Sequence, residues 1–199
     1  MRFRMAAFVA FGLAASVSLH AQEPLPPDTT RAAEAAIGND ILALRYFTPG
    51  PLSGFKNSLN YEVLFTTDRE FIGSAAWLFN TDLATIPRLS FNVGPKLYAA
   101  WLNGVTKTQV LAVALGANVR YELIPSMGVA VWGSGFYSPS IITFGSAQNL
   151  YDFMAGAEVR FTPQLIGLAG YRWLKFTLEL QPSDRVSNQV FAGLRWQFR

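Results

Sequence analysis

Apolar and polar residues alternate along most of the chain, and the alternation is clearest in the segment Gln189–Arg199. On an extended strand its apolar side chains share one face: Val190, Ala192, Leu194, Trp196 and Phe198. The opposite face carries a charge and an amide. A period of two indicates a strand whose faces meet different surroundings. Lipid on one face and a polar lumen on the other is the arrangement in transmembrane β-strands. An ordinary half-buried strand in a soluble sheet remains the alternative for this segment alone.

Similar segments recur along the chain, with turn residues between them. The clearest is Thr108–Leu123, with a large apolar row opposite a small and polar row. Most segments have about ten residues or more, which suits a tilted crossing of a bilayer. The predicted strands are Ile37–Phe47, Ser58–Thr66, Glu70–Asn80, Arg88–Trp101, Thr108–Leu123, Met127–Tyr137, Leu150–Phe161, Leu165–Leu180 and Gln189–Arg199. The fold class is therefore all-β, an antiparallel transmembrane β-barrel.

The number of strands is left open between eight and ten, because the nine segments conflict with the even number that bacterial barrels have. Either Ile37–Phe47 is not a wall strand, or the preceding residues supply a tenth. Loop lengths predict the orientation, since external loops are longer than periplasmic turns. Ser138–Gln148 and Gln181–Asn188 are expected outside, and Thr162–Gln164 and the turn at Pro125 in the periplasm.

The N-terminus is typical of a secretory signal peptide. Arg2 and Arg4 precede an apolar core, Met5–Leu19, and Ala21 offers a small residue for cleavage. We expect a signal peptide over residues 1–21, a periplasmic leader over 22–36 and the barrel over 37–199. The leader is polar and then alanine-rich, and a short helix is predicted at Thr30–Ala36.

Charged residues of both signs fall on the predicted inward row. Arg or Lys facing lipid near the midplane would cost about 2–4 kcal/mol each. We therefore expect an ion-pair network in a side-chain-filled lumen, formed by Glu62, Lys96, Arg120, Glu122, Glu158, Arg160, Lys175, Glu179 and Arg195. Arg172 fits poorly, because alternation groups it with Leu174 and Phe176 on the lipid-facing row, so a bulge or a position near the interface is needed there. Aromatic residues, among them Tyr98 and Trp101, are expected in girdles at the membrane interfaces, with an ordinary core position as the alternative for some of them.

Residue types exclude several kinds of chemistry. The single histidine, His20, lies in the signal peptide, and there is no cysteine. The absence of both residue types excludes hydrolysis by a Ser-His-Asp triad and the usual zinc, copper and haem sites, so we expect no cofactor. Glu122 and Glu158 could form a glycosidase-like pair. The preferred interpretation is salt-bridged lumen carboxylates beside Arg120 and Arg160.

The net charge gives no sign of nucleic-acid binding. Without Arg2 and Arg4, fourteen Lys and Arg residues oppose thirteen Asp and Glu residues. A protein that binds nucleic acid usually carries a clear basic excess on one face. No nucleic-acid partner is therefore expected.

Several runs resemble the YfaZ-like family of small outer-membrane proteins. They are Gly50–Leu52, Tyr61–Asp68, Val93–Ala100, Leu111–Tyr121 and Pro125–Pro139. The resemblance spans most of the chain after the signal peptide. The resemblance implies a bacterial outer-membrane location, and it assigns no catalytic residues to this chain.

We expect a non-enzymatic integral outer-membrane protein, a structural or surface-interaction barrel with a filled lumen. A narrow channel for small or apolar solutes is the alternative, and a soluble ligand-binding periplasmic sandwich is a third class. The expected partners are the lipid bilayer, lipopolysaccharide and, during insertion, the outer-membrane assembly machinery, to which the C-terminal strand would serve as a targeting signal.

Overall fold

The computed structural model describes residues 31–53, 55–81, 86, 88–103, 107–145, 147–178 and 184–198. These residues form eleven strands and two short 3-10 helices. The strands are β1 (Arg31–Gly38), β2 (Ile41–Pro49), β3 (Asn57–Thr66), β4 (Phe71–Asn80), β5 (Leu89–Asn103), β6 (Lys107–Ile124), β7 (Val129–Ser138), β8 (Thr143–Gly145), β9 (Ala147–Arg160), β10 (Leu165–Leu178) and β11 (Asp184–Phe198). The 3-10 helices are Pro125–Met127 and Ser140–Ile142. No helix among these residues is long and apolar enough to cross a membrane.

Ten of the strands close into an antiparallel barrel. Each pairs with its neighbour along the chain, except that β7 pairs with β9, and β1 pairs with β11 to close the sheet. The short strand β8 adds to β6 beyond the end of β7. A closed sheet has no free edge, so every wall strand has hydrogen-bonding partners on both sides.

The tenth wall strand comes from the segment that the sequence analysis assigned to the leader. Residues 31–36 are part of β1, so the short helix predicted at Thr30–Ala36 is wrong. A turn at residues 39–40 separates β1 from β2, and the predicted single strand Ile37–Phe47 is therefore two strands. Residues 1–30, which include the predicted signal peptide, lie outside the described residues.

The two ends of the barrel differ. Arg31 pairs with Phe198, so the first and last described strands meet at one end, which we call the termini end. The short turn around Pro125, where Gly128 has φ 63°, and the turn at residues 161–164 also lie there. The opposite end, the loop end, carries the Ser140–Ile142 helix and β8.

The outer face of the wall is apolar. Exposed Leu, Ile and Val side chains project from it, including Leu44, Leu97, Leu111, Leu115, Val190 and Leu194. Aromatic rings cluster near both ends. Phe71 lies between Phe65 and Trp101 at the loop end, and Tyr46 lies against Phe198 at the termini end. Among the strand residues with described side chains, the charges on the outer face are Arg31 and Lys175, each close to one end.

Small residues on the inner face leave room for a few large rings. A Cβ atom on Gly156 would lie 2.8 Å from the Trp132 ring and would also meet the Ala169 carbonyl oxygen. Trp132 in turn packs 6.1 Å from Phe191, measured between ring centroids. At this point of the lumen, aromatic side chains of some strands thus pack over glycines of their neighbours.

Five residues lie on the face opposite to the one expected. Arg172, Leu174 and Phe176 all point inward and are fully buried, so Arg172 needs neither a bulge nor an interfacial position. Lys175, which was expected in the lumen, lies outside, paired with the outward Tyr151. Tyr98, which was expected in an aromatic girdle, is also fully buried in the lumen.

Candidate functional site: the lumen

The centre of the lumen holds Arg172 between two carboxylates. Its Nη1 lies 2.6 Å from Glu62 Oε1, and its Nη2 lies 3.0 Å from Asp152 Oδ2. Lys96 Nζ bridges the same two acids, at 3.3 Å from Glu62 and 3.2 Å from Asp152. Four buried charges from β3, β5, β9 and β10 therefore meet at one site.

Aromatic groups complete this centre. The Tyr98 hydroxyl donates a hydrogen bond of 2.8 Å to Asp152 Oδ2. Lys96 Nζ also lies 4.7 Å from the Tyr98 ring centroid and 5.1 Å from that of Phe136. Both distances are within the range of a cation–π interaction. The buried ammonium group is thus surrounded by acids and ring faces.

The ion pairs continue toward the termini end. Arg45 donates to Glu62 at 2.7 Å and also pairs with Glu34. Arg195 links Glu34, at 2.8 Å, to Glu158, at 3.1 Å. The chain of contacts therefore runs from β3 through β2 and β1 to β11 and β9, across the closure of the barrel.

The last link lies in the more open part of the lumen. Arg120 Nε is 2.6 Å from Glu158, and Arg120 Nη1 is 2.8 Å from Glu122. Five cations and five anions thus form one continuous, charge-balanced lumen network: Glu34, Arg45, Glu62, Lys96, Arg120, Glu122, Asp152, Glu158, Arg172 and Arg195. Buried charges are tolerated when they are paired in this way.

Six of the nine residues expected in this network lie in it: Glu62, Lys96, Arg120, Glu122, Glu158 and Arg195. Arg160 faces the lumen but forms no ion pair with a described residue, so it is not the partner of Glu158. Lys175 is outside the barrel, and Glu179 lies outside the described residues.

Four members of the network were not expected there: Glu34, Arg45, Asp152 and Arg172. Asp152 had a usable signal, since it shares the period-two row of Gly156 and Glu158. Glu34 and Arg45 were missed because their strands were not separated correctly.

An apolar plug fills the lumen at the loop end. Its side chains are almost fully buried and belong to one cluster: Ile41, Leu64, Ile72, Leu102, Val110, Leu150, Leu174 and Phe176. They come from β2, β3, β4, β5, β6, β9 and β10, so nearly the whole circumference contributes. The plug lies between the lumen network and the loop end.

A polar cavity of about 560 Å³ occupies the lumen at the termini end, and we call it the vestibule. Lys96 and Glu62 form its inner limit, and Asn60, Asn92 and Arg88 are among the residues along its wall. None of the plug residues lines it. The lumen therefore has an apolar half and a polar half, with the lumen network between them.

The two carboxylates considered as a glycosidase-like pair, Glu122 and Glu158, lie in the lumen network. Glu122 and Glu158 share Arg120 as a partner, so neither carboxylate is poised as an isolated acid or base. No group of three His, Cys, Asp or Glu side chains suitable for a metal ion occurs within the described part of the chain. The arrangement is suited to holding the wall together.

A family model described as "YfaZ precursor" matches residues 66–198. The match begins at the end of β3 and runs to the end of β11, so it includes most of the barrel. No curated protein matches the chain.

Three solved structures of low sequence identity are similar to the chain. A "Bacterial polysaccharide outer membrane secretin" is 12% identical, with a TM-score of 0.48, over 86% of this chain and 66% of that chain. A "KdgM porin in complex with disordered oligogalacturonate" is 9% identical, with a TM-score of 0.44, over 86% of this chain and all of that chain. A "KdgM porin" is 9% identical, with a TM-score of 0.42 and the same coverage.

Proposed function

The chain belongs to the YfaZ family, and from this premise we propose that it is a non-enzymatic integral protein of the bacterial outer membrane. Its barrel serves as a structural or surface-interaction element, and side chains close its lumen. The loop end faces the outside and the termini end faces the periplasm, since bacterial barrels have longer external loops and short periplasmic turns.

The outer face supports a bilayer location. Leu115 is 63% exposed and Val190 is 64% exposed, and similar side chains surround the wall. Soluble monomers rarely expose an apolar surface of this extent. Arg31 and Lys175 lie near the ends of their strands, where a charge costs much less than at the midplane. This outer surface is therefore suited to a hydrocarbon layer that is bounded by two aromatic girdles.

The plug is the single observation that carries the proposal of a closed lumen. A water-filled channel requires a continuous polar path, and the loop half of the lumen is occupied by packed aliphatic and aromatic side chains. The lumen network adds cross-links between strands that are far apart in sequence, such as β3 and β10. Both features favour a rigid wall over a pore.

Conductance across a planar bilayer tests the closed lumen. We expect the purified barrel to give no steady single-channel steps. Leu150 and Phe176 are cross-strand partners in the plug, so the double variant Leu150→Ala/Phe176→Ala should open a path and produce steps. Phe153→Ala/Trp173→Ala removes another cross-strand pair of β9 and β10, on the outer face, and should remain silent.

Folding of each variant is checked by heat-modifiable migration on a semi-native gel, because loss of buried plug side chains also destabilises the barrel. Steady steps from the unmodified barrel would contradict the closed lumen. They would favour the second candidate, a narrow channel, for which the vestibule provides a polar entrance from one end.

A further inference from the structure

Five of the six buried side-chain polar atoms that lack a hydrogen-bond partner among the described residues belong to residues that line the vestibule. The side-chain oxygens of Asn80, Asn118 and Ser134, Trp132 Nε1 and Arg160 Nε are buried and have no hydrogen-bond partner among the described residues. All five residues line the vestibule. Buried polar groups in folded proteins are almost always satisfied, because an unmade hydrogen bond leaves the cost of desolvation uncompensated. These residues therefore have hydrogen-bonding capacity left for a molecule that fills the vestibule.

Three of these residues belong to one row across the wall. Asn80 on β4 pairs with Asn92 on β5, which pairs with Asn118 on β6, which pairs with Ser134 on β7. Cross-strand neighbours have Cβ atoms about 4.5–5.5 Å apart, so their side chains form a continuous amide and hydroxyl ladder. Amides and hydroxyls both donate and accept hydrogen bonds. The ladder is therefore suited to a ligand with several hydroxyl groups.

The vestibule also has an excess of positive charge. The lumen network is balanced, with five cations and five anions. Arg88 and Arg160 line the vestibule, and neither forms an ion pair with a described residue. A guanidinium group matches the geometry of a carboxylate or phosphate. A cleft lined by one sign of charge concentrates ligands of the opposite sign.

We propose that the vestibule is a binding site for a small anion that carries hydroxyl groups, such as a sugar acid or a sugar phosphate. The anionic group pairs with Arg160, and the hydroxyl groups bind the ladder of Asn80, Asn118 and Ser134. The volume of about 560 Å³ is within the usual range for small-molecule sites. This site goes beyond the proposed structural role, because a closed barrel needs no ligand.

Calorimetric titration of the purified barrel in detergent micelles tests the site. The probes are glucuronate and glucose 6-phosphate, compared with glucose and with inorganic phosphate, which each supply half of the recognised chemistry. We expect at least one of the two complete probes to bind more tightly than glucose and inorganic phosphate. Arg160→Gln should weaken its binding by about tenfold, the usual size for one charge-assisted hydrogen bond. Asn118→Ala should weaken it by a smaller factor.

Arg31→Gln is the matched control. Arg31 lies at the same end of the barrel and loses the same charge, but its side chain is on the outer face. Binding should be unchanged in this variant. The proposed site is wrong if neither complete probe binds, because ordered water alone would then satisfy the five polar atoms. It is also wrong if Arg31→Gln and Arg160→Gln weaken binding equally. Titration in micelles does not depend on conductance, so this outcome and failure of the closed lumen are distinguishable.

Discussion

Arg172 Nη2 and Asp152 Oδ2 lie 3.0 Å apart, and neither side chain is exposed to solvent. A second bond, of 3.1 Å from Arg172 Nε to Asp152 Oδ1, makes the pair bidentate. Such a pair fixes the relative position of β9 and β10 more tightly than a single contact between point charges. The same guanidinium also holds Glu62 on β3, so one side chain joins three strands.

Arg172→Met should destabilise the barrel strongly. The substitution leaves Asp152 and Glu62 buried with fewer cations, and loss of one partner of a buried ion pair typically costs about 3–5 kcal/mol. The free energy of unfolding by urea in lipid vesicles measures this loss.

Arg120→Met is the comparison, because the Arg120 side chain is 30% exposed and its buried partner Glu158 keeps a second cation, Arg195. No buried carboxylate is left without a cation, so a clearly smaller loss is expected. Equal losses in the two variants would show that burial does not govern the lumen network.

Tyr98→Phe isolates one hydrogen bond. The substitution removes the hydroxyl group that donates a 2.8 Å hydrogen bond to Asp152, and it leaves the ring in place beside Lys96. Asp152 Oδ2 keeps Arg172 and Lys96 as partners, so the loss is that of one hydrogen bond to a charged group, about 1.5–3 kcal/mol. Tyr121→Phe makes the same chemical change on the outer face and should alter the unfolding free energy by no more than about 0.5 kcal/mol. If Tyr98→Phe were as harmless, the hydroxyl would contribute nothing to holding Asp152.

Two glycines on paired strands should respond oppositely to alanine. A Cβ on Gly156 would lie 2.8 Å from the Trp132 ring and against the Ala169 carbonyl oxygen, so Gly156→Ala should cost about 1–3 kcal/mol. A Cβ on Gly133 would meet nothing closer than 3.6 Å. Gly133→Ala should therefore be neutral or slightly stabilising, because alanine restricts the unfolded chain. The midpoint of heat-modifiable migration compares the two, and a lower midpoint for Gly133→Ala alone would contradict the assignment of inner and outer faces.

Period-two alternation predicted most of the wall, since a strand between lipid and a packed lumen must separate its two faces. It was misleading at β10, where Leu174 and Phe176 were taken as lipid-facing. The plug is as apolar as the bilayer, so hydrophobicity does not distinguish inside from outside in that half of the lumen. The one charge of the row, Arg172, was the better guide to its direction.

The first strand was missed for another reason. Residues 31–36 contain four alanines, and alanine has the highest intrinsic helix propensity. The segment is a strand because it pairs with both β2 and β11 and closes the barrel. Such pairing is a property of the whole sheet. The polar ladder of Asn80, Asn118 and Ser134 was likewise hidden, because its residues become neighbours only through the register of four strands.

Depth in the bilayer gives a further test of the outer face. Leu115 is 63% exposed at the middle of β6, and Ile37 is 65% exposed beside the turn at the loop end. Arginine on the lipid face costs about 2–4 kcal/mol at the midplane and about 0–1 kcal/mol near an interface. Leu115→Arg should therefore reduce the free energy of unfolding in lipid vesicles much more than Ile37→Arg does. If the outer face met water, the two equally exposed positions would lose the same unfolding free energy. Equal losses would therefore mean that the apolar outer face does not meet a hydrocarbon layer.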